Sequence, residues 1–307
     1  MAIAAKNLSY EYDPRTPYRT EALRGLSLTV EDGEAVAVMG RTGCGKSTLL
    51  QLLAGLLPPS AGTVEIDGED INAVGYERSR LRRAVGLVFQ YPETQLFETS
   101  VERDVAFGLR HLGLTRQEMR ERCAWALSLC GFDLAQIGEQ SPLGLSGGEK
   151  RRVAIAGVLA VRPRYLLLDE PFAGLDPLAR EDFLALLRRL NREGVTVLVV
   201  SHNADCVAEC ARRLLVLDEG RLALDTATAA AFARPERLRA LHLDASAAAR
   251  IAAALRARGC RIPADVCTYG ALRQAAASLC GVGETAQEAA DISAQTAERR
   301  GGQSDGR

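Results

Sequence analysis

Lysine is nearly absent from this 307-residue chain: of 38 basic residues only Lys6, Lys46 and Lys150 are lysines. Arginine stands where charge alone is wanted, so a retained lysine marks a place that needs a compact ammonium rather than a planar fork. Net charge is also nearly absent, at −1, which leaves no global field to draw nucleic acid or an anionic membrane surface. No apolar run approaches the roughly 18–20 residues that cross a bilayer. The opening residues, MAIAAKNLSYEY, lack the basic and apolar regions of an export signal. The expectation is a chain that meets a membrane only through a partner. Eight cysteines include no C-x-x-C pair, so reduced, unpaired thiols are expected. Cys206 and Cys210 share a helical face, but two thiols without further ligands make a poor metal site and read as packing.

What is present is ample core material, 47% hydrophobic and 25% charged residues, in a length that suits about two domains. LSYEY and ALRGLSLTV read as strands, and AVAVMG as a continuous apolar strand of the buried parallel type. A loop at 40–45 leads to a helix over 47–55, ended by Gly55 and the Pro58–Pro59 pair. TVEIDGEDI reads as a hairpin with an Asp-Gly turn, and AVGLVFQ as another buried strand. From 91 to about 150 the pattern turns helical, with VERDVAFGLRHLGL and TRQEMRERCAWALSLCGF as helices. Strand–helix alternation then returns in YLLLD, a helix over 177–192, VTVLVVS, a short helix, and RLLVLDEGRLAL. This predicts a layered α/β fold over 1–225 with an inserted helical subdomain. Residues 226–283, rich in alanine and arginine, read as a small helical domain, and the polar stretch 284–307 as a disordered tail.

Gly40-Arg41-Thr42-Gly43-Cys44-Gly45-Lys46-Ser47 fits G-x-x-x-x-G-K-[ST] between an apolar strand and a helix. Its glycines let backbone N–H groups, that of Thr48 included, curl around phosphate oxygens at a helix N-terminus. Lys46 then reaches the β- and γ-phosphates of a nucleoside triphosphate, and Ser47 ligates Mg²⁺. YLLLDE is a buried strand ending in two carboxylates, which places Asp169 beside the Mg²⁺ and Glu170 where a water can be polarised. Leu145-Ser146-Gly147-Gly148-Glu149 precedes a helix and forms a second anion site from a hydroxyl and glycine amides.

That last motif resembles the signature sequence of ATP-binding-cassette proteins, and the rest of the chain matches in order. The resemblance implies that the signature caps ATP bound to a partner, giving a head-to-tail dimer with two nucleotides at the interface. It implies that Gln90 touches Mg²⁺ and the attacking water, that Ala173-Gly174-Leu175-Asp176 crosses the interface, and that His202 contacts the γ-phosphate. Tyr12, or less favourably Tyr10, matches the aromatic residue that stacks on adenine. Two positions depart from the common pattern. Glu149 stands where glutamine is commoner, with Lys150, Arg151 and Arg152 near enough to offset its charge. Cys44 replaces a small serine or alanine; at a helix N-terminus its thiol is expected to favour thiolate, so that alkylation blocks ATPase activity unless ATP is bound first.

Gln90-Tyr-Pro-Glu-Thr-Gln-Leu-Phe97 and the stretch from Thr99 to Gly108 resemble energy-coupling factor transporter ATPases, the A subunits of the cobalt and vitamin type. RTPYRTEAL, GRTGCGKSTLLQLLAGLLPP and SPLGLSGGEKRRVAIAGVLA extend the likeness. The resemblance implies a second ATPase subunit, identical or paralogous, and an integral-membrane scaffold carrying a substrate-binding component. The ATPase then lies at the cytoplasmic face of the cell membrane, energising uptake of a vitamin or transition-metal ion, and its C-terminal helices pair the two ATPases. Tyr91, Leu96 and Phe97 are candidates for the scaffold contact, packing of the helical subdomain being the other reading. The alternative function is a soluble cassette ATPase of DNA repair or ribosomes, or a regulator without turnover. No coiled-coil insertion, second cassette or basic linker supports the first two, and the presence of both Glu170 and His202 argues against the last.

Overall fold

The computed structural model describes residues 2–279. Cys280 and the stretch 284–307, expected to be disordered, lie outside the described residues. Two long strands, β1 (Ala2–Tyr12) and β2 (Thr20–Glu31), open the chain and lead to β3 (Ala35–Gly40), which is buried throughout. Helix α1 (Lys46–Leu53) follows, then the hairpin β4 (Ala61–Ile66) and β5 (Glu69–Asp70). Asp67 and Gly68 between them have φ of 56° and 81°, the left-handed pair that makes Asp-Gly a hairpin turn. Helix α2 (Arg78–Ala84) runs into β6 (Val85–Val88).

The helical insertion holds α3 (Val101–Ala106), α4 (Arg116–Leu129), α5 (Leu134–Ile137) and α6 (Gly147–Ala160). VERDVAFGLRHLGL is thus not one helix: α3 passes into a 3₁₀ turn at Phe107–Leu109, where Gly108 weakens helical propensity and Gly113 takes φ of 72°. The core resumes with β7 (Tyr165–Asp169), α7 (Pro177–Arg192), β8 (Thr196–Val200), α8 (Ala204–Cys210), β9 (Arg213–Asp218) and β10 (Arg221–Ala227). Helices α9 (Thr228–Phe232), α10 (Pro235–Ala240), α11 (Ala247–Ala257) and α12 (Tyr269–Leu279) close the described chain.

The strands form two sheets. One is antiparallel, in the order β2-β1-β4-β5; the other runs β10-β9-β3-β8-β7-β6 and is parallel except for β10. Alternation along the parallel strands divides the core. Val36, Val38, Leu167, Leu198, Val200 and Leu215 face α1 and the antiparallel sheet. Leu166, Leu168, Val197 and Val199 face α6, α7 and the helical insertion. Both faces are covered, which is why these strands read as continuous apolar runs. AVGLVFQ, expected to be buried, is instead the edge strand β6, buried only at alternate residues. Arg164 fastens the two sheets together through Asp32, Asp67 and the hydroxyl of the fully buried Tyr165.

The C-terminal helices are docked on the α/β core rather than tethered beside it. Phe232, Leu238, Ala245 and Ala249 share one apolar cluster with Met39 of β3 and Leu214 and Val216 of β9. A second, smaller cluster, Ala252, Ile262 and Val266 with Leu272 and Ala275, belongs to the extension itself. Phe232 is 1% exposed, and Phe232→Ala is expected to lower stability by about 3–5 kcal/mol. Thermal denaturation followed by far-UV circular dichroism should show the whole chain melting earlier in one transition. An early transition confined to a small helical fraction, with the main one unmoved, would mean that the extension folds independently.

Candidate active site

Because β3, β6, β7 and β8 are parallel, their carboxyl ends meet at one edge, where open α/β sheets bind ligands. Gly40 ends β3, Asp169 ends β7, and His202 lies two residues past β8. Val88 of β6 pairs with Leu168 of β7, so Gln90 and Glu170 leave the sheet at the same level. Glu170 is anchored there by its N–H, which donates to Val200 O at 2.9 Å.

The loop 40–45 is shaped by its glycines. A Cβ on Gly45 would stand 2.4 Å from Ala22 O, and φ there is 103°. Gly43, at φ 81°, has nothing near its missing side chain, so the rim of the loop is open to a ligand. Gly45 is the N-cap of α1 and brings no side-chain acceptor, and no acidic residue occupies the first turn. The first amides of α1, those of Ser47 and Thr48 among them, therefore keep free donors, and the helix dipole favours an anion beside them. Lys46 Nζ donates to Gly40 O and Arg41 O at 2.8 and 2.9 Å, which holds the ammonium over the loop. Arg41 and Thr42 are exposed on the rim.

Asp169 is 9% exposed. Burial raises its pKa, opposed by a hydrogen bond from the Ser47 hydroxyl and by the Lys46 charge, while Glu170 adds to the rise. A carboxylate so enclosed gains by a cation next to it. No group of three or more histidine, cysteine or acidic residues forms a metal cage among the described residues. Ser47, Asp169 and Gln90 instead supply a few hard oxygen donors of the kind that share a cation with phosphate. Glu170 binds differently: its Oε1 accepts from His202 N at 3.0 Å and lies 2.9 Å from His202 Nδ1, and its Oε2 accepts from Ser201 Oγ at 3.3 Å. Ser201, fully buried between them, carries no signal in the sequence beyond ending an apolar strand.

Ser146 does not reach that edge by any hydrogen bond. It is the N-cap of α6 in a capping box with Glu149: Ser146 Oγ donates to Glu149 Oε2 at 2.7 Å, and Glu149 N donates back to Ser146 Oγ at 3.4 Å. The Ser146 hydroxyl and the Ser146 N–H, which also donates to Glu149 Oε2 at 2.8 Å, hold the Glu149 carboxyl below its usual range, with Arg152 adding to the effect. A capping box takes glutamate or glutamine alike, which accounts for the residue at 149. Arg151 does not offset it; that side chain turns inward and donates to Ala173 O and Pro171 O, both at 2.6 Å. The S-x-x-E spacing is visible in the sequence; the inward turn of Arg151, in one i, i+4 stripe with Ile155 and Leu159, comes from the packing of α6. At Gly147 and Gly148 nothing lies within 4 Å of the point a Cβ would occupy, so no packing inside the chain demands glycine there. Leu145 anchors the motif in the core, and Asp176 caps α7 by accepting from Ala179 N at 2.9 Å.

Tyr12 is partly exposed over α1, its hydroxyl 3.1 Å from Thr48 Oγ1, whereas Tyr10 packs edge-on behind it in the core. Of the residues after Gln90, Tyr91 and Phe97 are exposed, and Leu96 packs against the helical insertion. Cys44 departs from expectation. Its side chain turns into the core beneath the loop, 6% exposed, and burial raises the thiol pKa above the ordinary 9.0 despite Lys46. Cys44 lies just before the N-cap Gly45, and burial of its sulfur outweighs the pull of the Lys46 ammonium and amide toward thiolate.

A family model described as ABC transporter matches residues 23–173. The chain is 42% identical over 276 residues to the energy-coupling factor transporter ATP-binding protein EcfA2 of Clostridium perfringens, spanning 90% of this chain and 97% of that protein. The protein of the same name from Symbiobacterium thermophilum is 46% identical over 282 residues, spanning 92% and 96%. Among solved structures, cbiO1 from Clostridium perfringens, described as part of the ABC transporter complex cbiONQ, superposes with a TM-score of 0.68 at 36% identity, covering 83% of this chain and 98% of that one. A dimeric ATP-binding cassette in a post-hydrolysis state, bound to ADP and Pi, gives 0.66 at 29% identity, covering 74% and 98%.

With its pKa raised, Cys44 holds less thiolate at pH 7 than a free cysteine, and reactivity should return only as pH rises through the elevated value. Iodoacetamide at pH 7 is therefore expected to leave Cys44 unmodified in the folded chain and to label it after denaturation, read by peptide mass spectrometry. Rapid labelling of the folded chain that ATP prevents would restore the reactive-thiolate reading.

Proposed function

The chain belongs to the energy-coupling factor transporter ATP-binding proteins of the ABC transporter family, and from that premise we propose that it hydrolyses ATP to energise micronutrient uptake through membrane partners. The observation that carries this reading is one sheet edge bearing an open phosphate loop, a buried carboxylate and a glutamate–histidine pair, in a chain alike nearly end to end to such subunits. The solute is a vitamin or a transition-metal ion, and it is cargo for the partners rather than a ligand of this chain.

ATP sits with its phosphates against the amides of Gly43–Thr48 and the Lys46 ammonium, its adenine against Tyr12. Ser47, Asp169 and Gln90 would hold Mg²⁺, which would supply positive charge to offset that of the phosphates. The fit rests on the buried Asp169 beside the Ser47 hydroxyl. Glu170 orients water and takes its proton, while Lys46 and His202 stabilise charge developing on the γ-phosphate. The 2.9 Å approach of His202 Nδ1 to Glu170 Oε1, which holds the two side chains together, supports this reading.

Ser146, Gly147 and Gly148 close the site of a second ATPase subunit. Two glycines in the first turn of α6 lower helix stability by about 1 kcal/mol each relative to alanine, with no packing inside the chain to require them. A phosphate approaching from another subunit supplies the reason, and the Asp176 loop lies at the same interface. The partner is a second copy or a paralogue, and the C-terminal helices strengthen the pairing. No helix among the described residues is long and apolar enough to cross a membrane. Attachment to the cytoplasmic face is therefore through an integral-membrane scaffold, which meets the exposed Tyr91 and Phe97, and which carries the substrate-binding component. A repair-type role finds no support, since the longest helix among the described residues, α7, has 16 residues and no coiled coil interrupts them.

Glu170→Gln keeps the shape and removes the base. In the complex purified from native membranes it should bind ATP, trap a closed ATPase dimer and lose about 10²–10⁴-fold in kcat. ATPase assays and size analysis of the ATP-bound subunit test this; wild-type turnover in the variant would overturn the role of Glu170. Absence of an integral-membrane protein from the purified complex would overturn the transport reading.

A further inference from the structure

Arg151 is a charged residue in the wrong place for a solvated one. It lies in the first turns of α6 and is 6% exposed. Its fork goes to backbone oxygens alone: Nη1 to Ala173 O, Nη2 to Pro171 O at 2.6 Å and to Glu170 O at 3.4 Å. Its Nε is enclosed with no hydrogen-bond partner. Among the described residues one carboxylate atom nearby is in the same condition. Oε2 of Glu93, in the 3₁₀ turn Pro92–Gln95 that follows Gln90, is enclosed and unpartnered. That turn packs on α6, and the Glu93 charge favours the Arg151 guanidinium against the burial that disfavours it.

A buried charge without a partner carboxylate is destabilising, and an aliphatic side chain could fill the same stripe beside Ile155 and Leu159. What the guanidinium supplies instead is a brace on one short loop. That loop needs bracing, because Glu170 sits at φ +47°, a left-handed conformation that a side-chain-bearing residue holds only when its surroundings enforce it.

We propose that Arg151 is a positioning residue for ATP hydrolysis: it braces the backbone that carries Glu170, and the nearby Glu93 charge, which makes no hydrogen bond to it, couples that brace to the turn after Gln90. The inference rests on Glu170 being the residue that activates water. The unpartnered Nε edge and the unpartnered Oε2 are complementary, so displacement of the turn changes how firmly the fork holds the carbonyls of Glu170, Pro171 and Ala173. The turn lies between the exposed Tyr91 and Phe97, so a push on that face reaches the attacking water through two side chains. The same helix presents Ser146 to the partner's nucleotide, which gives the two sites of a dimer a common rigid element.

The test is a double-mutant cycle on Arg151→Gln and Glu93→Gln, with Arg151→Lys and Glu170→Gln alongside, all in the complex purified from native membranes. Arg151→Gln should lower kcat on the order of 10–10²-fold, the size expected when a reacting group is held loosely, with KM for ATP within about twofold. Arg151→Lys keeps the charge without the fork and should fall between. Glu93→Gln should lower kcat beside Arg151 and have no further effect beside Gln at 151, since residues that act through one charge network are not additive. Unchanged kcat in Arg151→Gln, or additive effects of the two changes, would overturn the proposal. So would a lowered melting temperature with kcat and KM both intact, which marks a purely structural arginine. If Arg151→Gln does not fold, the cycle is run on Arg151→Lys with the same criteria. Wild-type turnover in Glu170→Gln would instead discard the role of Glu170 itself, whereas an inactive Glu170→Gln beside a fully active Arg151→Gln discards only the brace.

Discussion

A parallel strand covered on both faces can offer chemistry only where it ends. β3, β7 and β8 are buried along their whole length, clamped between α1 with the antiparallel sheet on one side and helices on the other. Every polar group that must meet a ligand is therefore pushed to the residues just past the strands: the loop after Gly40, the carboxylates at 169 and 170, and the turn at 201 and 202. Parallel pairing then puts these turns at one level without any further design. Enclosure also sets the chemistry. It raises the pKa of Asp169, and so makes a cation welcome there, while the more peripheral Glu170 stays tied to His202 and Ser201.

Much of this is legible in the residues themselves. The runs AVAVMG, YLLLD and VTVLVV are strands because two-sided burial leaves no polar positions, and Asp67-Gly68 is a turn because both residues tolerate positive φ. The phosphate loop is equally plain, since its glycines answer to steric demands that few other sequences meet. What resists reading depends on the third dimension. AVGLVFQ is as apolar as a central strand, yet β6 is an edge, because its neighbours come from elsewhere in the chain. Cys44 reads as a sensor of the helix dipole, but its side chain turns under the loop into the core, where burial outweighs the pull of the helix start. Arg151 reads as one of three exchangeable charges in a basic run, and helical periodicity turns it alone inward.

The second anion motif has two layers. Ser146 and Glu149 satisfy each other as a capping box, a local need that any helix start has. That satisfaction does not explain the glycines between them, which the fold tolerates without using. On the proposed function, local structure and partner recognition would share the same five residues, the serine and glutamate holding the shape and the glycines leaving it bare.

The C-terminal helices rest on the back of the strand that ends in the phosphate loop: Met39, next to Gly40, lies in one cluster with Phe232 and Ala249. The apolar surface that β3 and β9 would otherwise expose on that side is thus covered by the chain's own C-terminal helices, and removing them would uncover the strand that carries the loop rather than trim a tail.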